Sequence, residues 1–423
     1  MLQLSYIREN PNEVVERLSV KNFKAADLVK DLVNKDEGRR KTQNELDTML
    51  AHANQLAKQI GDLYKEGKRA EADVLKEQTS ALKESTKGLT EELEKMEKEI
   101  ASILVLLPNL PSKQVPAGKT PEDNEVVHTE GKIPELYSEA KPHWELATIY
   151  DIIDFEAGNK LTGAGFPVYK GKGAKLQRAL INFFLDKATE AGYKEMQPPI
   201  LVNEDSGFGT GQLPDKEGQM YYVQADNYYL IPTAEVPLTN LYRDEIIHEK
   251  DMPIKLTAYT PCFRREAGSY GKDVRGLNRL HQFDKIEIVQ IQHPSASYAT
   301  LEGMKDYVAS LLQMLELPFR ILKLCGGDMS FASALTYDLE VFSAAQKRWL
   351  EVSSVSNFES FQSNRLKLRY RDAEKKTKFA HTLNGSALAL PRIVASLLEN
   401  NQTPEGIKIP SVLVPYTGFE MIS

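Results

Sequence analysis

Between Asp31 and Leu107 the chain runs 77 residues without a proline, and its apolar residues return on a helical period. Leu75, Leu82, Leu89, Met96 and Ile103 recur at every seventh position, with Leu93 and Ile100 between them; upstream, Leu46, Leu50, Ala53, Leu56, Ile60 and Leu63 step by three or four. That stripe is a coiled-coil seam on two successive helices and cannot serve a strand, whose period is two. The polar break Tyr64-Lys65-Glu66-Gly67-Lys68-Arg69 predicts a short turn that makes the helices antiparallel neighbours. Helices of about 35 residues extend ~50 Å, so the hairpin has to project. Charged residues make up 29 of these 77 positions, against 27% of the whole chain, as solvated helices require. Two readings stay open at this point: a dimerising coiled coil, or an arm that reaches a distant partner. Arg39, Arg40, Lys41, Lys58, Lys65, Lys68, Arg69 and Lys76 dot its outer face, but acids alternate with them, so charge does not decide.

The rest of the composition mainly excludes. Hydrophobic residues at 41% rule out wholesale disorder, and a net charge of -7 over 423 residues rules out a globally basic nucleic-acid binder, though not one with a local basic stripe. The longest apolar run, Ala101 to Leu107 with Ser102 inside it, is too short to span a bilayer. Met1 to Pro11 has neither the basic nor the apolar part of a secretory leader, and Cys262 and Cys325 form neither a disulfide framework nor a zinc cluster. A cytoplasmic location is therefore expected.

Pro108-Asn109-Leu110-Pro111 stops the second helix. Three regions follow: an N-terminal domain over 1–107, a linker over 108–142 and a mixed α/β domain over 143–423. In the last, Tyr228–Ile231, Ile286–Ile291 and Tyr337–Phe342 read as half-buried antiparallel strands. Helices are predicted at Gly173–Ala191, Ser297–Leu315 and Leu388–Asn400. Neither G-x-G-x-x-G nor a P-loop occurs, so any nucleotide is held by other means.

Two segments carry chemistry. Between Thr260 and Glu287, two apolar stretches flank a glycine-containing loop with Arg264, Arg265, Arg275 and Arg279. Forked guanidinium donors suit a polyanion such as a triphosphate, while an ordinary charged hairpin is the plainer alternative. Arg392 heads an apolar helix behind Pro391, where it either meets an anion with the helix N-terminus or is simply solvated.

FRREAGSYGKDVRGLNRLHQF (Phe263 to Phe283) and NGSALALPR (Asn384 to Arg392) resemble motifs 2 and 3 of class II aminoacyl-tRNA synthetases, and Gly173 to Pro199 resembles motif 1. Within that class, Thr233-Ala234-Glu235, Glu351-Val352-Ser353-Ser354, Ser356-Asn357 with Phe361-Gln362, and the helical hairpin are similar to seryl-tRNA synthetase of bacterial type, over essentially the whole chain. Departures are small: Arg265 stands where Ser is frequent, Val355 where Cys is common, and Ala387 and Pro391 where glycines are frequent.

The resemblance implies an α+β catalytic core, built on an antiparallel sheet with flanking helices, behind an N-terminal coiled-coil hairpin. It implies ATP-dependent ligation of serine to tRNA(Ser) through a seryl-adenylate. Arg264 would bridge the serine carboxylate and the α-phosphate, Arg392 would hold the γ-phosphate, Arg265 would join the ATP site, and Arg275 would meet the triphosphate or the tRNA end. Glu266 would accept from the adenine amino group and Phe283 would stack on its ring. Glu351, Val352, Ser353 and Ser354 would complete the ATP site, with Glu351 and Ser354 binding Mg²⁺. Glu287 and Ser386 would read serine's hydroxyl, with Thr233, Ala234 and Glu235 around its ammonium. The hairpin would bind tRNA across its elbow and long variable arm, and the family's members are homodimers. His281 and Cys262 read as structural. The alternatives are a relative that loads a carrier protein, which would lack the hairpin, and a non-catalytic paralogue, which would have lost Arg264, Glu266, Glu351 or Arg392.

Overall fold

The computed structural model describes residues 1–215, 217–266 and 275–423, which divide into two compact units. One unit comprises Leu2–Ser19 and Phe23–Pro108, containing α1 (Leu4–Glu9), most of α2 (Pro11–Val20), α3 (Ala26–Lys65) and α4 (Arg69–Leu104). The two long helices run antiparallel, tied by Lys35–Glu99 at 2.7 Å near the base and by Tyr64 Oη to Asp73 Oδ1 at 3.1 Å near the tip. Their turn follows from Gly67, at φ +78°. With the glycine left-handed, Lys68 N–H donates to Leu63 O and Gly67 N–H to Tyr64 O, which satisfies the last carbonyls of α3. The seam on α4 runs Ala72, Leu75, Thr79, Leu82, Thr86, Leu89, Leu93, Met96, Ile100, Ile103, all buried or half-buried. On α3 the expected Leu50 is 46% exposed, and Met49 takes its place. Alternating steps of three and four from Leu46 lead to Met49 and Ala53, and leave Leu50 on the flank.

The second unit is Met1, Val20–Asn22 and Asn109–Ser423. Its frame is an eight-stranded sheet of β1 (Glu125–Glu130), β2 (Lys194–Glu195), β3 (Ile254–Phe263), β4 (Gln282–Gln292), β5 (Phe319–Lys323), β6 (Leu335–Ser343), β7 (Arg348–Asn357) and β8 (His381–Ala389). Strand order is β1-β5-β6-β7-β8-β4-β3-β2, antiparallel throughout except for the β2/β3 pair. The stretch read as a linker thus supplies an edge strand. Its sequence, Glu-Val-Val-His-Thr-Glu, is β-branched and polar enough to sit exposed at a sheet margin.

Helices α5 (His143–Ile149), α6 (Gly171–Glu190), α7 (Glu235–Asn240), α8 (Ser297–Met314) and α9 (Leu390–Asn400) accompany the sheet. Ile286 and Ile288 join the large core with Leu180 and Phe184 of α6, Val308 and Leu312 of α8 and Val394 and Leu398 of α9. On the other face of β4, Val289 and Ile291 enter two smaller clusters. Ile286–Ile291 is therefore buried on both faces rather than half-buried, because further structure covers the second side. That second face of β4 also carries Lys285 and Glu287. Among the described residues, no helix is long and apolar enough to cross a membrane.

Candidate active site

Strand alternation places Lys285, Glu287 and Val289 on one face of β4, and cross-strand register sets Glu287 directly opposite Ser386 of β8. Lys285 Nζ donates to Thr233 Oγ1 at 3.0 Å and lies 2.6 Å from Glu287 Oε2, with the two side chains only 6% and 1% exposed. The short ionic contact is poorly aligned as a hydrogen bond, so the buried Glu287 Oε2 has no hydrogen-bond partner among the described residues. Thr233 Oγ1 also accepts from Glu235 N–H at 3.2 Å. Glu235 begins α7 and its Oε1 accepts from Gln362 Nε2 at 2.6 Å; Gln362 is oriented in turn by Thr382 Oγ1 at 2.7 Å. Burial, and then the charge of Glu287, push the Glu235 carboxyl up to about 7, against the pull of Gln362, Lys285 and Arg264. Ala234 packs with Leu238, Leu256, Ala258 and Val289, so it fixes the backbone between two polar neighbours.

Arg264 leaves the end of β3, and its guanidinium sits over the Phe283 ring at 5.3 Å. Its main chain is clamped by His281: Arg264 N–H donates to His281 O at 2.9 Å, and His281 Nδ1 lies 3.0 Å from Arg264 O. The imidazole stacks on Phe166 with centroids 5.4 Å apart, which makes it a spacer. Cys262 is fully buried and burial pushes its thiol up, the reverse of an activated nucleophile. Arg265 is exposed, with its amide on Gln219 O at 2.8 Å. Glu266 takes φ +48° and pairs through Oε2 with Arg279 Nε. Residues 267–274 of the motif lie outside the described residues. Arg275 is exposed over the Trp144 ring at 5.8 Å.

Arg392, the third residue of α9, donates from Nε to Asn278 O at 3.1 Å and from Nη1 to Glu351 O at 2.6 Å, with Glu351 Oε2 at 3.6 Å. The two arginine-bearing segments thus meet. Glu351 is exposed, and Ser354 faces Asp338 across the β6/β7 register. Asp338 was not foreseen. Its Oδ1 is buried without a partner among the described residues, and burial together with Glu351 raises its carboxyl well above the usual range. The Val352 side chain lies in the large core, and Ser353 Oγ donates to Ser386 O at 2.5 Å. A bulge between Leu339 and Glu340, opposite Glu351 and Ser353, breaks the alternation of β7 at Val352. Lys285 was also missed, although its spacing of two from Glu287 on a strand was the available signal. Among the described residues, no group of three or more His, Cys, Asp or Glu could hold a metal by itself.

Residues 221–401 match the tRNA synthetase class II core domain (G, H, P, S and T), so the antiparallel sheet is that of a class II aminoacyl-tRNA synthetase. Residues 1–111 match the seryl-tRNA synthetase N-terminal domain. A serine--tRNA ligase of Salinibacter ruber is 52% identical over 100% of this chain and 99% of its own length. The crystal structure of seryl-tRNA synthetase from Pyrococcus horikoshii complexed with ATP superposes with a TM-score of 0.93 at 32% identity, covering 100% of this chain and 99% of that one. That of the cytoplasmic enzyme from Naegleria fowleri in complex with AMP gives 0.88 at 25% identity, covering 100% and 99%. The chain belongs to the seryl-tRNA synthetase family.

Proposed function

We propose that this chain joins serine to tRNA(Ser) in two steps. A serine carboxylate oxygen attacks the α-phosphorus of ATP and pyrophosphate leaves; a ribose hydroxyl of the tRNA end then attacks the acyl carbon and AMP leaves. The observation that carries this reading is the buried Thr233–Lys285–Glu287–Ser386 pocket beside Arg264. Glu287 would accept from serine's hydroxyl opposite Ser386, and Glu235 and Thr233 would receive its ammonium. A pocket built to pair a hydroxyl rejects alanine, since buried polar groups would be left unpaired. Arg264 would neutralise the serine carboxylate and the α-phosphate as they approach, Arg275 and Arg392 would hold the triphosphate, and Glu266 and Phe283 would seat adenine. Orientation and electrostatics carry the rate without a covalent nucleophile.

Oxygen donors at Glu351 and Ser354, beside Asp338 Oδ1, which has no hydrogen-bond partner among the described residues, fit Mg²⁺, a cation that keeps water and phosphate oxygens as its remaining ligands. When bound it would supply charge neutralisation along the phosphates. The helical hairpin, with 1–107 acting as a tRNA-binding domain and 143–423 as the catalytic one, would read tRNA shape and phosphates through its Lys/Arg stripe. We further propose a cytoplasmic homodimer. Serine-dependent ATP–pyrophosphate exchange followed by charging of purified tRNA tests the reading: exchange without charging points to a carrier-loading enzyme, and the absence of both defeats it.

A further inference from the structure

His143 opens α5 and is completely buried. Its main-chain N–H and its Nδ1 both reach Glu399 Oε1, at 2.9 and 2.6 Å. Nδ1 therefore carries the proton, which leaves Nε2 as an acceptor, and Nε2 takes the amide proton of Leu277 at 2.8 Å. Glu399, also fully buried, accepts from Ser343 Oγ and from Gln346 Nε2, the latter at 3.0 Å to Oε1. Gln346 Oε1 accepts from Asn278 Nδ2 at 3.0 Å, and Asn278 O accepts from Arg392 Nε at 3.1 Å. Gly276 has φ +62°, and a Cβ there would stand 2.2 Å from His143 Nε2, so only glycine lets the backbone lie against the imidazole. Trp144, the next residue, carries Arg275 over its ring.

One imidazole thus fixes both phosphate-facing cations: Arg275 through Leu277 and Trp144, and Arg392 through Gln346 and Asn278. We propose that His143 is a positioning residue for ATP, its neutral Nδ1–H tautomer holding Arg275–Asn278 in the geometry that presents Arg275 and Arg392 to the triphosphate. The inference rests on the function proposed above. It gives a role to a fully buried acid–base pair that the adenylation chemistry does not use. The serine pocket shares none of these hydrogen bonds, so its affinity is independent of them.

The test uses the full-length protein, with exchange kinetics and direct calorimetric titration of ATP. His143→Asn keeps the Nδ1-like donor to Glu399 and removes the Nε2 acceptor; it raises KM and Kd for ATP about tenfold and leaves the KM for serine within about twofold. His143→Gln, whose amide oxygen reaches the Nε2 position, restores most of the loss. Unaltered ATP affinity in His143→Asn, an equal rise in the serine KM, or a His143→Gln variant as impaired as His143→Asn overturns the proposal. Should His143→Asn not fold, half-buried Gln346→Ala is the second handle, with ATP KM raised about threefold; a folded Gln346→Ala with unchanged ATP KM overturns it equally. Wild-type protein that binds ATP but shows no serine-dependent exchange defeats the functional reading instead, and the ATP titrations still decide the role of His143.

Discussion

Lys285 and Glu287, two positions apart on one face of a central strand, hold each other at 2.6 Å with both side chains buried. Glu235 lies close enough to Glu287 for that charge to act on its carboxyl. When Glu235 is ionised, its carboxylate and that of Glu287 outweigh the Lys285 ammonium by one negative charge, and in the proposed reading the ammonium of serine would restore neutrality. Arg264 would then supply the positive charge for its carboxylate. On that reading the buried pair serves recognition more than stability.

Glu287→Ala raises the KM for serine by at least about 100-fold and leaves that for ATP within about threefold, because the removed acceptor faces only the serine side of the site. Lys285→Met strands two buried carboxylates and costs about 3–5 kcal/mol of folding stability, read by urea denaturation. Matched rises in both KM values after Glu287→Ala would remove that residue from the serine pocket.

Glu235 gives the site a pH dependence with a definite sign. Its folded-state pKa is raised to about 7 from 4.5, so the folded protein holds a proton that the unfolded chain releases. Stability from this group is intact below about pH 4.5 and is lost as pH rises to about 7. Serine's ammonium needs the ionised carboxylate, so the KM for serine falls as pH rises from about 6 to 8. Glu235→Gln flattens that profile, and Glu287→Gln moves its inflection to lower pH by removing the repelling charge. A profile unchanged in Glu235→Gln would assign the titration elsewhere.

The arm was legible because a heptad repeat needs no tertiary information: period and turn glycine both act locally. Leu50 and Met49 mark the limit, since neighbours on one helix differ only by the phase of the partner's seam. The central strand was found, but its second buried face was not, because Glu287 and Lys285 look like solvent-facing positions until the elements covering them are known. Residues 125–130 read as linker because the strand they pair with lies nearly 200 residues away. The bulge at Val352, which turns that side chain into the core, depends on the pairing of β6 with β7 and leaves no mark in the sequence around it. His143 offered no local signal at all; its partners Leu277 and Glu399 are 134 and 256 positions distant.

Shortening the arm separates the two half-reactions. Lys35–Glu99 and the Asp36 carboxylate, buried yet held ionised by Arg8 and Arg39, secure the base of the hairpin. Replacing residues 43–92 by a short Gly/Ser turn therefore keeps that base. Serine-dependent exchange stays within about twofold and tRNA charging falls at least about 100-fold, since loss of a multi-contact phosphate surface is steep. Equal loss of both activities would contradict a separable arm.

The last relationship to test joins Arg392 to Glu351. Arg392 Nη1 rests on the Glu351 carbonyl at 2.6 Å, while the carboxylate stands 3.6 Å away and exposed. The backbone of Glu351 thus orients the arginine, and its exposed side chain would be available to the proposed cation. Glu351→Gln keeps the carbonyl and removes the charge, so the Mg²⁺ concentration for half-maximal exchange rises about tenfold while the ATP KM at saturating Mg²⁺ stays within about threefold. Arg392→Lys, which cannot span both Asn278 O and Glu351 O with a planar fork, raises the ATP KM with no change in Mg²⁺ requirement. Opposite behaviour of the two variants, measured by exchange across a Mg²⁺ series, is the expected signature. If Glu351→Gln instead weakens ATP at every Mg²⁺ concentration, the carboxylate acts by holding Arg392, and the cation is bound without it.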